Sequence, residues 1–239
     1  MSSTQEIIRR NIQRLEEQVQ AACHAAGRDR REVTIVAVTK YVDWPLAQEV
    51  VNAGLSVLGE SRPQELWRKA EHLATSDVQW HLIGHLQTNK LKRTLPLVSM
   101  IHSIDSLALL SATNHSAATL QLTIPVLLEV NISGEQQKHG FRPENVARAL
   151  ELATELPHVC VQGLMGMAGL DSTDDQVLAQ FSSLQIVRDQ LRGQAPDHLD
   201  LPHLSMGMSR DFRLAIQAGA TLVRVGSAIF EGLAIAPEA

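Results

Sequence analysis

Residues 33–40 read Val-Thr-Ile-Val-Ala-Val-Thr-Lys. Apolar side chains fill nearly every position rather than alternate ones, as in a parallel strand covered on both faces. The same look recurs in LSVLG (55–59), VQWHLIG (78–84), LVSMIHSI (97–104), IPVLLEVNI (124–132), VCVQGLMGM (159–167), LPHLSMG (201–207) and TLVRVG (221–226). Between these runs lie segments 44–53, 62–74, 88–95, 105–118, 143–155, 174–191 and 209–218, most of them amphipathic at helical spacing. Strand–helix alternation implies a parallel sheet with right-handed crossovers. Eight strands in 239 residues fit a (β/α)8 TIM-type barrel, whose usual length is about 250 residues. An open doubly wound sheet is the alternative, but its G-x-G-x-x-G after the first strand is absent. Ahead of the barrel, Ile7, Ile8, Ile12, Leu15, Val19 and Ala22 mark an extra helix over about 4–26, stopped by Gly27. No low-complexity linker or Pro-rich hinge interrupts the chain. The expectation is one domain over 1–239, with the barrel spanning about 33–232.

Composition narrows the function classes. The chain carries 21 basic and 26 acidic residues, a net charge of −5. Phosphate neutralisation along a nucleic acid wants the opposite balance. Aromatic residues are only 3%, too few for a base-stacking surface. No apolar run approaches the roughly 18 residues of a membrane span, and the polar start MSSTQEIIRRNIQRLEEQ is no signal peptide. Cys23 and Cys160 are far apart and form no C-x-x-C. These features predict a soluble cytoplasmic protein with neither a nucleic acid nor a membrane as partner.

In a barrel the chemistry sits at the C-terminal strand ends. Lys40 ends the first run. An amine there, in a partly apolar mouth, loses its proton more easily and can attack a carbonyl to form a Schiff base. A lysine after a strand is by itself more often simply solvated, so a second signal is needed. The tail TLVRVGSAIFEG supplies one. Gly226 and Ser227 end the last strand and are expected to open a helix whose backbone N–H groups would cradle a phosphate. The loop SMGMSRDF adds Gly207 and Ser209 before another helix start, and barrel enzymes often bind phosphate after strands seven and eight. Spacing alone leaves open whether Ser205 or Ser209 faces that phosphate. A Schiff-base lysine on strand one beside a phosphate cup at strands seven and eight points to pyridoxal 5′-phosphate (PLP). Arg224, two residues before Gly226, would then face the pyridine nitrogen. Met165, at a strand end, fills core or lies under a planar ring. Histidines are scattered, with no H-E-x-x-H; His81, His102 and Asp105 could meet at strand ends as a metal site, but histidines bonded within the fold are the better reading, and no metal is expected. His85, His139, His198 and His203 complete the set considered.

The ordered motifs VAVTK (36–40), HLIGHLQTNK (81–90), HSIDS (102–106), VNIS (130–133), KHGF (138–141), GLMGMA (163–168), LSMGMSRDF (204–212) and VRVGSAIFEG (223–232) closely resemble the pyridoxal phosphate homeostasis protein family. That family is similar in build to the N-terminal barrel of alanine racemase. The resemblance covers about Ile7 to Gly232. It implies a PLP-binding barrel behind an N-terminal helix, with the cofactor as a Schiff base on Lys40. It implies phosphate at Ser209, Gly226 and Ser227, and Arg224 at the pyridine nitrogen. Ser205, Gly207, Met165, His81, Ser61 and Asn131 are further candidates around the cofactor. Ser61 stands where the family usually has the asparagine of G-E-N, and Gly226-Ser227 where Gly-Thr is common.

The implied role is cofactor homeostasis, meaning buffering and delivery of PLP with an influence on amino-acid and keto-acid balance. Partners would be PLP, amino acids or keto acids, and transient PLP-acceptor enzymes; a monomer is expected. A racemase of the alanine racemase type takes its second base, a tyrosine, from a C-terminal domain. Here the sole tyrosine is Tyr41, beside the lysine. The expectation is therefore a carrier and regulator without efficient racemase activity. Two alternatives stay open: a PLP enzyme with limited one-base racemase or lyase activity, and a cofactor-free Schiff-base aldolase acting on a sugar phosphate.

Overall fold

The computed structural model describes residues 3–74, 77–135, 137, 139–193 and 200–234; Lys138 of the KHGF motif and His198 lie outside them. Helix α1 (Ser3–Ala25) comes first. Its buried Ile8, Ile12, Leu15, Val19 and Cys23 recur every three or four positions and make one apolar stripe. Gly27 then adopts φ +67°, and the Arg28 N–H donates to Cys23 O at 2.9 Å. This left-handed glycine stop satisfies a carbonyl that the ended helix would leave unpaired.

Eight strands follow: β1 (Thr34–Val38), β2 (Val57–Glu60), β3 (Gln79–Leu82), β4 (Met100–Ile104), β5 (Ile124–Val130), β6 (Val159–Gly166), β7 (His203–Ser205) and β8 (Leu222–Val225). They close in sequence order, β8 pairing back onto β1, and every pairing is parallel. Helices α2 (Trp44–Asn52), α3 (Pro63–His72), α4 (Leu91–Thr94), α5 (Leu107–Thr119), α6 (Val146–Thr154), α7 (Asp174–Arg192) and α8 (Phe212–Gln217) lie between them. The chain is thus a (β/α)8 barrel with a leading helix, as its alternating pattern predicts. No helix among the described residues is long and apolar enough to cross a membrane.

Inside the barrel, Val36, Met100, Leu127, Met165 and Leu222 pack together as an apolar floor. Side chains alternate faces along a strand, so a step of two residues keeps the same inward face. That step carries β1 from Val36 to Val38, β4 from Met100 to His102, β5 from Leu127 to Glu129, β6 from Met165 toward Met167 and β8 from Leu222 to Arg224. On β4, β5 and β8 the apolar floor thus gives way to polar groups toward the C-terminal mouth.

Two expectations need correction. Strand β7 is three residues long rather than seven, because Gly207 turns the chain at φ +88° two residues after Ser205. Residues 227–233 form turns, so Gly226 and Ser227 open no helix. The Asn11 side chain on α1 explains this. Its Nδ2 donates to Ile229 O at 3.0 Å and to Glu231 O at 2.8 Å, fastening the segment to α1. A phosphate bound there would meet a turn rather than the dipole of a helix.

Candidate functional site

A cavity of about 350 Å³ opens at the C-terminal mouth. Val38, Lys40 and Tyr41 line it from the end of β1; Ser61 and Ile83 from the ends of β2 and β3; Met167 from the end of β6; Ser209 and Arg210 from the loop before α8; and Arg224, Gly226 and Ser227 from β8 and its turn. A larger groove on the outside, between α1 and α8, is lined mainly by alanines and glutamines and brings no set of ionisable groups together.

Lys40 sits one residue beyond Thr39, and its Nζ lies 4.4 Å from the centre of the Tyr41 ring, a cation–π contact. Beneath Thr39 lies a network that sequence reasoning missed. Lys69 on α3 is fully buried, and its Nζ donates to Thr39 O at 2.7 Å and to Glu60 Oε1. Glu60 also accepts from Thr39 Oγ1 at 3.0 Å and from the Ser61 N–H at 3.2 Å. The buried ion pair therefore ties α3 and the end of β2 to the backbone immediately before Lys40. In the sequence Lys69 looks like one more charge on an amphipathic helix; only its place in the helical stripe, three residues after the buried Leu66, hints that it points inward.

Arg224 is buried, and burial lowers its pKa to about 10, against the pull of Glu129 and Asp211, so it remains a cation at neutral pH. Its Nη1 donates to Ser205 Oγ at 2.6 Å and its Nη2 to Gly166 O at 3.0 Å. Arginine only donates, so Ser205 accepts here and turns its own proton to His102 Nδ1, 2.8 Å away. His102 then carries its proton on Nε2 and donates to His81 Nδ1 at 2.9 Å. These tautomers are assigned from the network. They agree with the surroundings: burial pulls His81 down to about 4, and burial, His81 and Arg224 hold His102 well below the ordinary histidine value. Both imidazoles are neutral.

The loop after β7 places the two serines differently. Ser205 lies fully buried beneath Arg224, while Ser209 lines the cavity and accepts the Gly226 N–H at 3.3 Å. A Cβ on Gly226 would stand 3.1 Å from Val38 O and 3.2 Å from Val38 Cβ, so a side chain there would crowd a wall of the cavity. Gly207 supports the loop from behind, accepting the Arg224 N–H at 2.9 Å. A Cβ on it would meet Ala215 Cβ at 2.5 Å.

Several candidates lie elsewhere. Met165 belongs to the barrel floor, and the cavity takes Met167, one step further along the same face. His81 lies in the barrel interior, reaching Arg224 through His102 and Ser205. Asn131 organises its own loop, donating to Glu135 O at 2.8 Å and accepting from the Gly134 N–H at 3.0 Å. The grouping of His81 and His102 with Asp105 does not form. The two histidines join each other, whereas Asp105 faces His85 and His139. Glu129, within the run IPVLLEVNI, is a buried carboxyl pushed up to about 7 by burial and by Asp105, with Arg224 and His139 opposing.

Residues 7–233 match the family described as the alanine racemase N-terminal domain. The chain is 41% identical over 219 residues to the pyridoxal phosphate homeostasis protein of Aquifex aeolicus, covering 92% of this chain and 95% of that one. It is 34% identical over 227 residues to the protein of the same name from Vibrio cholerae, covering 93% and 95%. Among solved structures, PipY of Synechococcus elongatus with PLP bound is similar at a TM-score of 0.83 and 32% identity, covering 93% of this chain and 99% of that one. An alanine racemase of Clostridium difficile shares the fold at a TM-score of 0.70, with 14% identity over 83% of this chain and 52% of that one.

Proposed function

The chain belongs to the pyridoxal phosphate homeostasis protein family, and from that premise we propose that it binds PLP on Lys40 and serves to buffer and deliver it. The observation that carries the reading is one cavity, at the barrel mouth, lined together by the Lys40 amine, by Ser209, Gly226 and Ser227, and by the buried Arg224 cation.

The residues fit the cofactor. Gly226 keeps the wall open where a side chain would crowd Val38, and the Ser209 and Ser227 hydroxyls offer hydrogen bonds to a phosphate. Lys40 supplies the amine that captures the aldehyde, and the Glu60–Lys69 pair fixes the backbone from which it projects. When bound, PLP supplies an aldehyde that condenses with amines and a ring that can draw electrons from them. Arg224 would present N–H donors to the ring nitrogen, and the neutral Ser205–His102–His81 chain behind it offers no acid to protonate that nitrogen. An unprotonated ring is a poor electron sink, which supports holding the cofactor over efficient racemisation. Tyr41 is the sole tyrosine in the sequence and is the immediate neighbour of Lys40.

In this reading the chain acts as a single cytoplasmic domain and a monomer, handing PLP to acceptor enzymes and answering to amino acids or keto acids. The test is PLP titration followed by visible absorbance, with transfer to an apo-enzyme as a second readout. Wild-type protein should bind one PLP and release it to the acceptor, and Lys40→Ala should lose the visible band. Rapid turnover of any amino acid in a panel would instead establish an enzyme.

A further inference from the structure

At the same mouth, over β3, β4 and β5, a second cluster lies outside the cofactor reading. His85 follows β3, Asp105 follows β4 and His139 follows β5. Asp105 is largely covered, and its Oδ2 lies 3.2 Å from His85 Nδ1 and 3.7 Å from His139 Nδ1. The two imidazoles stack with centres 4.8 Å apart and planes 23° from parallel. The shorter contact is a long hydrogen bond; the longer one exceeds hydrogen-bond length. Hydrogen bonding therefore accounts for only half of an arrangement that aims two ring nitrogens at one carboxylate oxygen.

We infer that His85, Asp105 and His139 form a binding site for a divalent transition-metal ion of the zinc class. One ligand atom from each residue lies within 4.8 Å of the others. Bonds of about 2.0–2.2 Å to a tetrahedral ion place its ligand atoms about 3.4 Å apart. The remaining closure falls to the two histidine side chains, which are 49% and 66% exposed, while the Asp105 side chain, at 10%, is the fixed point. Two imidazoles and one carboxylate favour zinc, iron, cobalt, nickel or copper over magnesium or calcium, which prefer oxygen alone. Water fills the remaining positions. The three loops are successive, so the barrel topology itself assembles the set, and His85 stands two residues beyond Ile83 in the wall of the cofactor cavity.

The test is calorimetric titration of chelator-treated, PLP-loaded protein with zinc, repeated with cobalt while following its visible d–d bands. One ion per chain should bind with imidazole-type cobalt bands. Asp105→Asn, His85→Ala and His139→Ala should each weaken binding by at least about tenfold, since even outer-shell partners cost 10–100-fold. His24→Ala and His115→Ala, at exposed positions on α1 and α5, should leave it unchanged. Circular dichroism should match wild type in all five, and His139→Ala, at the most exposed ligand, keeps the test valid where Asp105→Asn fails to fold. Equal affinity in the three ligand variants, loss in the two controls, or no stoichiometric binding would overturn the inference. The same titration of PLP-free protein should give the same stoichiometry and the same losses in the variants, which keeps the outcome separate from whether PLP binds Lys40.

Discussion

Replacing Lys69 with methionine tests whether the buried ion pair under Lys40 holds the mouth of the barrel together. Both partners have no exposed side-chain surface. Without the ammonium, Thr39 O loses one of its two donors and keeps the Val42 N–H, while among the described residues Glu60 keeps the Thr39 hydroxyl and the Ser61 amide, with no counter-charge. Breaking one side of a buried pair costs about 3–5 kcal/mol. For a chain of this size each kcal/mol moves Tm by about 2–4 °C, so Lys69→Met should melt about 6–20 °C below wild type at pH 7. The double variant Glu60→Gln/Lys69→Met removes both charges and should be more stable than Lys69→Met alone. Scanning calorimetry and PLP titration on the three proteins make the assay, with cofactor occupancy expected to follow stability. A Lys69→Met protein within 1 kcal/mol of wild type, or a double variant no better than the single one, would refute the reasoning.

Gly226→Ala should weaken PLP binding while leaving Tm within a few degrees, because the new methyl presses on Val38 at the cavity wall; Ser209→Ala should weaken it further by removing a hydroxyl, both read by absorbance titration. Gly207→Ala should destabilise the fold itself: φ +88° alone costs a residue with a side chain about 1–3 kcal/mol, and the Ala215 contact adds to it. His81, held at about 4 in the fold against 6.5 ordinarily, makes the unfolded chain bind more protons between those values. That term lowers stability as pH falls from 6.5 to 4, by up to about 3 kcal/mol. Glu129, raised to about 7, acts in the opposite direction over pH 4.5–7, so urea melts of Glu129→Gln should show a steeper acid loss than wild type.

The parallel barrel was legible because both faces of each strand are covered, which leaves near-continuous apolar runs such as Val33–Val38. The place of Lys40 at the barrel mouth was legible because a long cation ends such a run. Finer placement failed where the deciding contact comes from a distant residue. Asn11 captures the carbonyls of residues 229 and 231, and nothing near Gly226 in sequence announces it. Met165 and Met167 differ by one inward step, and a strand end uncertain by a residue or two cannot separate floor from mouth. Ser205 and Ser209 part for the same reason, once Gly207 turns the chain between them. Lys69 was hidden because charge on a helix usually means solvent, and its partner is nine residues away on another element. The pairing of Asp105 with His85 and His139 rather than His81 and His102 depends on which residues lie beyond the strand ends and which lie within the barrel.

The central claim is that Lys40 holds PLP. Protein purified from cofactor-replete cells should show a visible band, and borohydride reduction followed by peptide mass mapping should place one pyridoxyl-phosphate adduct on Lys40. A protein with no band and no adduct even after PLP is added, or with adducts spread over surface lysines instead, would contradict the account.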